Sequence, residues 1–507
     1  MNKSVQDSML GREVRKPAPE VEQSQDLDSP GERKRNGPSS SWNVFPQEVR
    51  LMILEAIFKM QSKHTPQKKS FLASVSAEWQ IFFEKRNFKS LYLPRLHHIT
   101  MLEEVVGPRR QMYVSEIYLH VFLAPYTSGE LCEEDDEEIL HNNEIFDEHL
   151  KSLLRTLSKW QTSYGNEKHS GIHLHFSAES SDDCDNPFRT GYTLPGLYDD
   201  LEPAEIWGAT KRIMGNLLDV KNATTASSLA SPAEPEFPAV LRVPIVKQFS
   251  VRDELYRSLS AGAIRFLLLS LESLETIEYT SWRGIDKKDR SQRNRANVAL
   301  LESLPPTTKS VNLEEARHDK FHGPFDEPGP SRDIARVAVL ACSRLVSFSS
   351  LSVLDAAHFF DEVIQLSMPP MMECLDRWSS LEAVALTSWS LNPKIDGSYE
   401  GLLQQAAAAA MCLPKLKVME LWQDWKDAAT LFRYEVSGHT VEVSHGASWD
   451  LKLHQDVWNE WEEVAKHHGN LFFDIRLRVL DIPASADIDT MLRVNSYYQR
   501  GGVGPTF

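Results

Sequence analysis

Leu381-Glu382-Ala383-Val384-Ala385-Leu386 is the stretch on which the fold turns. Its apolar positions alternate with small or polar ones, as in a strand with one face on a core. Apolar helical material, Phe359 to Trp378, precedes it, and the same pairing recurs on both sides. Leu274/Ile277/Tyr279, Val311/Leu313, Leu345/Phe348 and Leu416/Met419/Leu421 repeat the form. They follow Ile264 to Leu271, Ala296 to Leu304, Ile334 to Leu340, and Tyr399 to Cys412 with its five-alanine run. Aligned on Ile277, Val311, Phe348, Val384 and Met419, the units lie 34, 37, 36 and 35 residues apart. One strand and one helix per unit at so regular a period predict an α/β array whose equivalent strands stack into a sheet. The competing account is an ordinary α/β domain whose spacing is accidental.

Stacking turns the residues between the apolar ones into columns on the other side of the sheet. One column reads Glu278, Asn312, Ser349, Ala385 and Glu420; another reads Thr280, Glu314, Leu351, Thr387 and Trp422. From these, Glu278, Asn312, Glu314, Glu420 and Trp422 are the candidate substrate-binding residues, with Trp282 and Trp389 at strand ends as further aromatic candidates or core covers. The basic stretch with Arg283, Lys287, Lys288, Arg290, Arg293 and Arg295 is either a grip for an acidic segment or a solvated loop.

Val114 to Leu119 and Ile172 to Phe176 are extended segments that fit as irregular members of the same sheet. Two insertions are expected, near 124–145 and 178–240. The first holds the acidic run Glu133 to Glu138, expected as a solvated face, and the second the Ala/Ser/Pro-rich stretch Asn222 to Pro238, expected as a flexible loop. Beyond about Thr430 the repeat gives way to strands at Tyr434 to Val436, Thr440 to Val443 and Phe472 to Val479, and a helix at Val457 to His467. This predicts an α+β cap over 430–507 that closes the last apolar layer.

The other decisive stretch is Phe45-Pro46-Gln47-Glu48-Val49-Arg50-Leu51-Met52-Ile53-Leu54-Glu55-Ala56-Ile57. Pro46 suits the first helical position and Glu48 the positive end of the helix dipole. Val49, Met52, Ile53, Ala56, Ile57 and Met60 make one apolar stripe and Leu51, Leu54 and Phe58 a second, more than a small helical element can hide. After a polar, basic break from Gln61 to Lys69, Phe71, Leu72, Val75, Trp79, Phe82 and Phe83 form another helical pattern, and the chain turns extended at Phe88 to Leu93. An amphipathic hairpin of a larger core is the plain account of these helices.

Over residues 41–93 the arrangement resembles an F-box: a leading apolar residue with Pro-x-Glu-Val, an Ile-Leu pair, then Val-Ser-x-x-Trp and a Phe-x-Ser-Leu exit. The resemblance implies a three-helix motif that docks on a Skp-type adaptor and through it a cullin, with Phe45, Pro46, Val49, Ile53, Leu54, Val75 and Trp79 on the adaptor face or in its supporting core. The repeat region, 94–429, resembles a degenerate leucine-rich-repeat solenoid with units longer than usual and without the consensus Asn. The whole is similar to fungal-type F-box proteins with a repeat-like C-terminal region. The implied function is substrate recognition in a Skp–cullin–F-box ubiquitin ligase; a scaffold or assembly role without ubiquitin is the alternative.

Composition fits an intracellular, non-catalytic protein. The 507 residues are 41% hydrophobic, enough for a large core. A net charge of −17 disfavours a general grip on nucleic acid or an anionic membrane. No apolar run is long enough to span a membrane, and residues 1–40 have the make-up of a flexible tail with no apolar signal region. Cys132, Cys184, Cys342, Cys374 and Cys412 are too widely spaced for a zinc framework or redox pair. No Gly-x-Ser-x-Gly, phosphate-loop or His-Glu-x-x-His motif occurs, and His173-x-His175, the best metal-like pair, has no evident third ligand. No catalytic residue, metal or cofactor is therefore expected.

Overall fold

The computed structural model describes residues 41–62, 69–127, 129, 132–184, 203–221, 241–251, 257–316, 322, 332–368, 378–391, 398–425, 428–438, 440–468 and 474–481. The tail at 1–40, most of the basic break at 61–69, the stretch 222–238 and Cys374 lie outside them. The chain divides into two compact units, 1–66 and 67–507. In the first, a short 3-10 turn at Ser41–Val44 leads into helix α1, Gln47–Ser62.

The second unit starts with α2 (Lys69–Leu72), α3 (Ala77–Asn87) and strand β1 (Ser90–Leu93). Then follow α4 (Leu96–Val105), α5 (Pro108–Gln111), β2 (Glu116–Leu123), α6 (Asp136–Ser158), β3 (Ile172–Ser180), α7 (Pro203–Met214) and β4 (Val246–Val251). The regular part comprises α8 (Ala261–Ser270), β5 (Thr276–Trp282), α9 (Lys287–Glu302), β6 (Ser310–Ala316), α10 (Arg332–Cys342), β7 (Ser347–Leu351), α11 (Ala356–Ser367), β8 (Ala383–Thr387), α12 (Ser398–Ala410) and β9 (Val418–Trp425). Strands β10 (Ala428–Ser437) and β11 (Thr440–Ala447), helix α13 (Gln455–His468) and strand β12 (Asp474–Asp481) close the series.

These twelve strands form one open sheet in strict chain order. β1 to β9 run parallel, each beside its successor, which a helical crossover permits and a tight turn does not. Ile277, Val311, Phe348, Val384 and Met419 pair neighbour to neighbour across β5–β9, so the repeat alignment is the register of the sheet. The same row continues back through Phe249, Leu174, Ile117 and Leu91. The two early extended segments are thus members of this sheet, and β4 is a member that the repeat pattern did not reveal. The last strands continue the sheet: β10 and β11 are antiparallel to their predecessors, and β12 is parallel to β11. Gly438, at φ +60°, supplies the left-handed residue of the β10–β11 turn.

Side-chain caps start the crossover helices: Ser260 accepts from Ala263 N, Asp286 from Asp289 N and Asp355 from Ala357 N. The helices α8 to α13 pack side by side in chain order, and their apolar faces share one core with the Ile277 row. At its centre Phe348 stacks on Phe359 of α11, ring centroids 5.7 Å apart. At the strand starts, Glu275 lies between Lys247 (3.2 Å) and Lys309 (2.9 Å), and Glu382 meets Lys417 (2.8 Å). Opposite charges two residues before the aligned apolar position thus reinforce the register. Among the described residues no helix is long and apolar enough to cross a membrane.

Candidate interaction surfaces

Helix α1 leaves apolar surface in solvent. Val49, Met52, Ala56 and Met60 lie on one side and are exposed, Met52 and Met60 each by 71%. Phe45, Pro46 and Leu51 are exposed as well. Leu54 is fully buried and Ile53, Ile57 and Phe58 are half-buried. The helix entry is held by Arg50, whose N–H donates to Pro46 O (3.1 Å) and whose Nη1 donates to Phe45 O (2.9 Å). Of the adaptor-face candidates in this unit, Phe45, Pro46 and Val49 present surface; Met52 and Met60, which the motif does not mark, present more.

In the second unit, Phe71, Val75 and Ile81 are exposed, Trp79 is half-buried against Phe83 at 5.7 Å, and Phe82 and Phe83 are buried. Ser76 caps α3 by accepting from Trp79 N. This end of the unit is fastened by Glu84, which accepts from Arg110 (2.7 and 3.2 Å), Arg109 (2.5 Å) and Gln80 (3.0 Å). Burial pushes the Glu84 carboxyl up, but these hydrogen bonds outweigh it and hold its pKa below the ordinary value.

The sheet face away from the helices carries the predicted columns. Glu278, Asn312, Ser349, Ala385 and Glu420 pair in sequence across β5–β9. Glu278, Asn312 and Glu314 are half-buried on this face, and Thr280 Oγ1 donates to Glu314 (3.3 Å). Glu420 and Trp422 are buried, as are consecutive residues 418–423 of β9 and 429–434 of β10; Glu420 lies 3.5 Å from Arg433, which also reaches Glu435 at 2.7 Å. Trp282 is buried and Trp389 half-buried, so neither stands out as an exposed anchor.

The same face over β1–β4 is aromatic and polar. Tyr118 stacks on His175 (4.2 Å, 4°), while His173 and His175 both meet Ser250 Oγ, at 3.1 and 2.7 Å. His120 lies between Ser177 Oγ (2.6 Å from Nδ1) and Glu179 (3.2 Å from Nε2). That order of groups has the outline of a serine–histidine–acid relay. Here β2 and β3 pair with each other, His120 opposite Ser177 and Phe122 opposite Glu179, while the ladder to β1 ends at Leu119 and the ladder to β4 at Phe176. Among the described residues no three His, Cys, Asp or Glu side chains gather as a metal site.

At the strand ends two residues of the acidic run, Glu134 and Glu138, turn inward. Asp135 caps α6 in a capping box with Glu138. Glu138 accepts from Arg212 of α7 (3.1 Å) and Thr127 (2.7 Å), and Glu134 accepts from Arg257 (2.7 Å), Asn142 (3.0 Å) and Asn216 (3.0 Å). Arg212, Arg257, Glu134 and Glu138 are all buried, so the solvated-face expectation holds for Glu133, Asp135, Asp136 and Glu137, which are exposed, and is corrected at Glu134 and Glu138. The basic stretch is likewise no free loop: Lys287 to Arg295 lie in α9, and Arg283 and Arg293 are buried. Lys211, next to Arg212, reaches Asp286 (2.5 Å) and Asp289 (2.6 Å). Burial works against the Lys211 ammonium, yet these two hydrogen bonds prevail and raise its pKa. Helix α7 thus fastens the ends of β2 and β5 through adjacent cations.

Residues 303–496, from the end of α9 through β12 and beyond, match a family of unknown function, DUF6546. No curated protein matches the chain.

Proposed function

We propose that the chain is a substrate-recognition subunit of a Skp–cullin–F-box ubiquitin ligase: residues 41–93 act as an F-box, and the sequentially ordered strands act as a leucine-rich-repeat-like solenoid that holds a protein substrate. The observation that carries this reading is the row Val49, Met52, Ala56 and Met60, apolar and exposed on a helix that begins with the F-box-like Phe45-Pro46-x-Glu48-Val49. An amphipathic helix with such a row is suited to a groove on a partner helical protein. Phe71, Val75 and Ile81 add exposed apolar surface from the other helices of the motif.

Substrate capture then falls to the sheet face that the helices leave uncovered. The mechanism is positional: the bound substrate's lysines are held at high effective concentration near the conjugating enzyme, and the chain itself does no chemistry. Co-expression with a Skp-type adaptor and a cullin tests this. The wild type should elute with both, and Val49→Asp and Trp79→Ala should lose both. Failure of the wild type to carry the adaptor sinks the reading; an adaptor complex that excludes the cullin favours a scaffold role.

A further inference from the structure

The uncovered face of β1–β3 differs from the rest of the sheet in chemistry. Tyr92, on the edge strand, is 59% exposed and Phe122 is 40% exposed, large for aromatic residues on a sheet face. His120 links them, 5.7 Å from the Tyr92 ring and 4.6 Å, edge to face, from Phe122. Tyr118 is the register neighbour of Tyr92. Two carboxylates border these rings. Glu116 accepts from Ser90 Oγ (2.7 Å) and Tyr118 OH (3.3 Å), and Glu179 is the register neighbour of Phe122. Burial and the charge of Glu179 together push the Tyr92 phenol pKa up, so that carboxylate acts on the same ring. The positions on this face of β1–β4 include no lysine or arginine.

We propose that this surface docks an arginine-bearing extended segment of a protein partner, with a guanidinium laid on the Tyr92 and Tyr118 rings and paired with Glu116. Aromatic faces and carboxylates both attract a cation, and a planar guanidinium satisfies both at once, stacking on a ring while its edge meets a carboxylate. A compact ammonium does this less well. Bordering carboxylates repel a phosphate backbone, which turns the aromatic platform away from nucleic acid. That the segment belongs to a ubiquitination substrate rests on the receptor reading above; binding of the segment does not need the adaptor.

The test uses the full chain and four fluorescent probes: a dodecapeptide of alternating Arg and Ser, its Lys and Glu counterparts, and a twelve-nucleotide oligouridine. Anisotropy should show saturable binding of the Arg peptide, weaker binding of the Lys peptide and none of the Glu peptide. Tyr92→Ala and Glu116→Gln should each weaken the Arg peptide about tenfold, the scale of one lost cation–π or charge-assisted contact. Glu302→Gln, the same charge change on a helix, should leave it unaltered. The inference is overturned if the Arg peptide does not saturate, or if both face variants bind like the wild type. It is equally overturned if oligouridine is the tighter, Tyr92-dependent ligand, or if the chain self-associates in a way that Tyr92→Ala abolishes. Adaptor co-purification with Tyr92→Ala should be intact, so loss of peptide binding and loss of the ligase reading are separate outcomes.

Discussion

Replacing Arg257 by Met should be among the costliest single changes outside the apolar core. The Arg257, Glu134 and Asp183 side chains are each only 2% exposed. Arg257 Nη1 lies 2.7 Å from Glu134 and Nη2 lies 3.6 Å from Asp183. Methionine keeps much of the side-chain length but deletes one charge-assisted hydrogen bond, worth about 1.5–3 kcal/mol. It also leaves two carboxylates buried without their cation, which brings the expected loss to about 3–5 kcal/mol. Glu134 would retain its Asn142 and Asn216 donors, and Asp183 its Tyr126 and Ser180 donors, so the fold should survive. For a unit spanning 67–507 the unfolding entropy is on the order of 0.9 kcal/mol/K, so the melting temperature should fall by about 4 °C. Adding Glu134→Gln removes one of the stranded charges, and the double variant should recover at least about 1 kcal/mol relative to the sum of the single losses. Urea unfolding followed by tryptophan fluorescence reads all four corners of the cycle. An Arg257→Met loss below about 1 kcal/mol, or strict additivity, would refute a buried network that locks the strand ends.

Phe348→Ala should cost about 3–5 kcal/mol, since its ring is in the aligned apolar row and stacks on Phe359. Ser349→Ala, one residue away, should be neutral or stabilising, because its buried hydroxyl has no hydrogen-bond partner among the described residues; urea titration of both compares the two sides of one strand. His468 takes hydrogen bonds with Tyr434 OH (2.9 Å) and Ala410 O (3.0 Å), and burial lowers its pKa to about 4. The folded pKa lies below the unfolded one, so the unfolded chain binds more protons between them. Stability should therefore fall by up to about 3 kcal/mol as pH drops from about 6.5 to 4, and His468→Gln should flatten that part of the pH–stability curve.

What the sequence disclosed depended on how local the cause was. The register of Ile277, Val311, Phe348, Val384 and Met419 was legible because each unit writes its own apolar rhythm in consecutive residues. Strand β4 was not, since Val246–Val251 is short and lacks a clear helical run before it. Within the acidic run only Glu134 and Glu138 were misread, because their cations are distant in sequence: Glu138 meets Arg212 and Glu134 meets Arg257. Helix α9 was read only in its second half, as Ala296 to Leu304; its first half was hidden by its composition, for it buries Asp289 and Arg293, which blurs the helical period. Alternation placed Glu420 and Trp422 on the correct face but carried no information on what covers that face. Exposure on α1 was legible as an excess of apolar surface, with Met52 and Met60 already in the first stripe; that Ile53 and Ile57 of the same stripe turn inward while Met52 and Met60 stay exposed emerged from the structure.

The central claim is that the exposed row of α1 docks on an adaptor, and calorimetric titration of a purified Skp-type adaptor into the full chain tests it most directly. The account predicts a saturable one-to-one heat with affinity on the order of micromolar or tighter. In Met52→Asp a carboxylate would be forced into the apolar contact, a penalty of several kcal/mol that should weaken binding more than about 100-fold. No saturable heat with the wild type, or an unchanged isotherm with Met52→Asp, would contradict it.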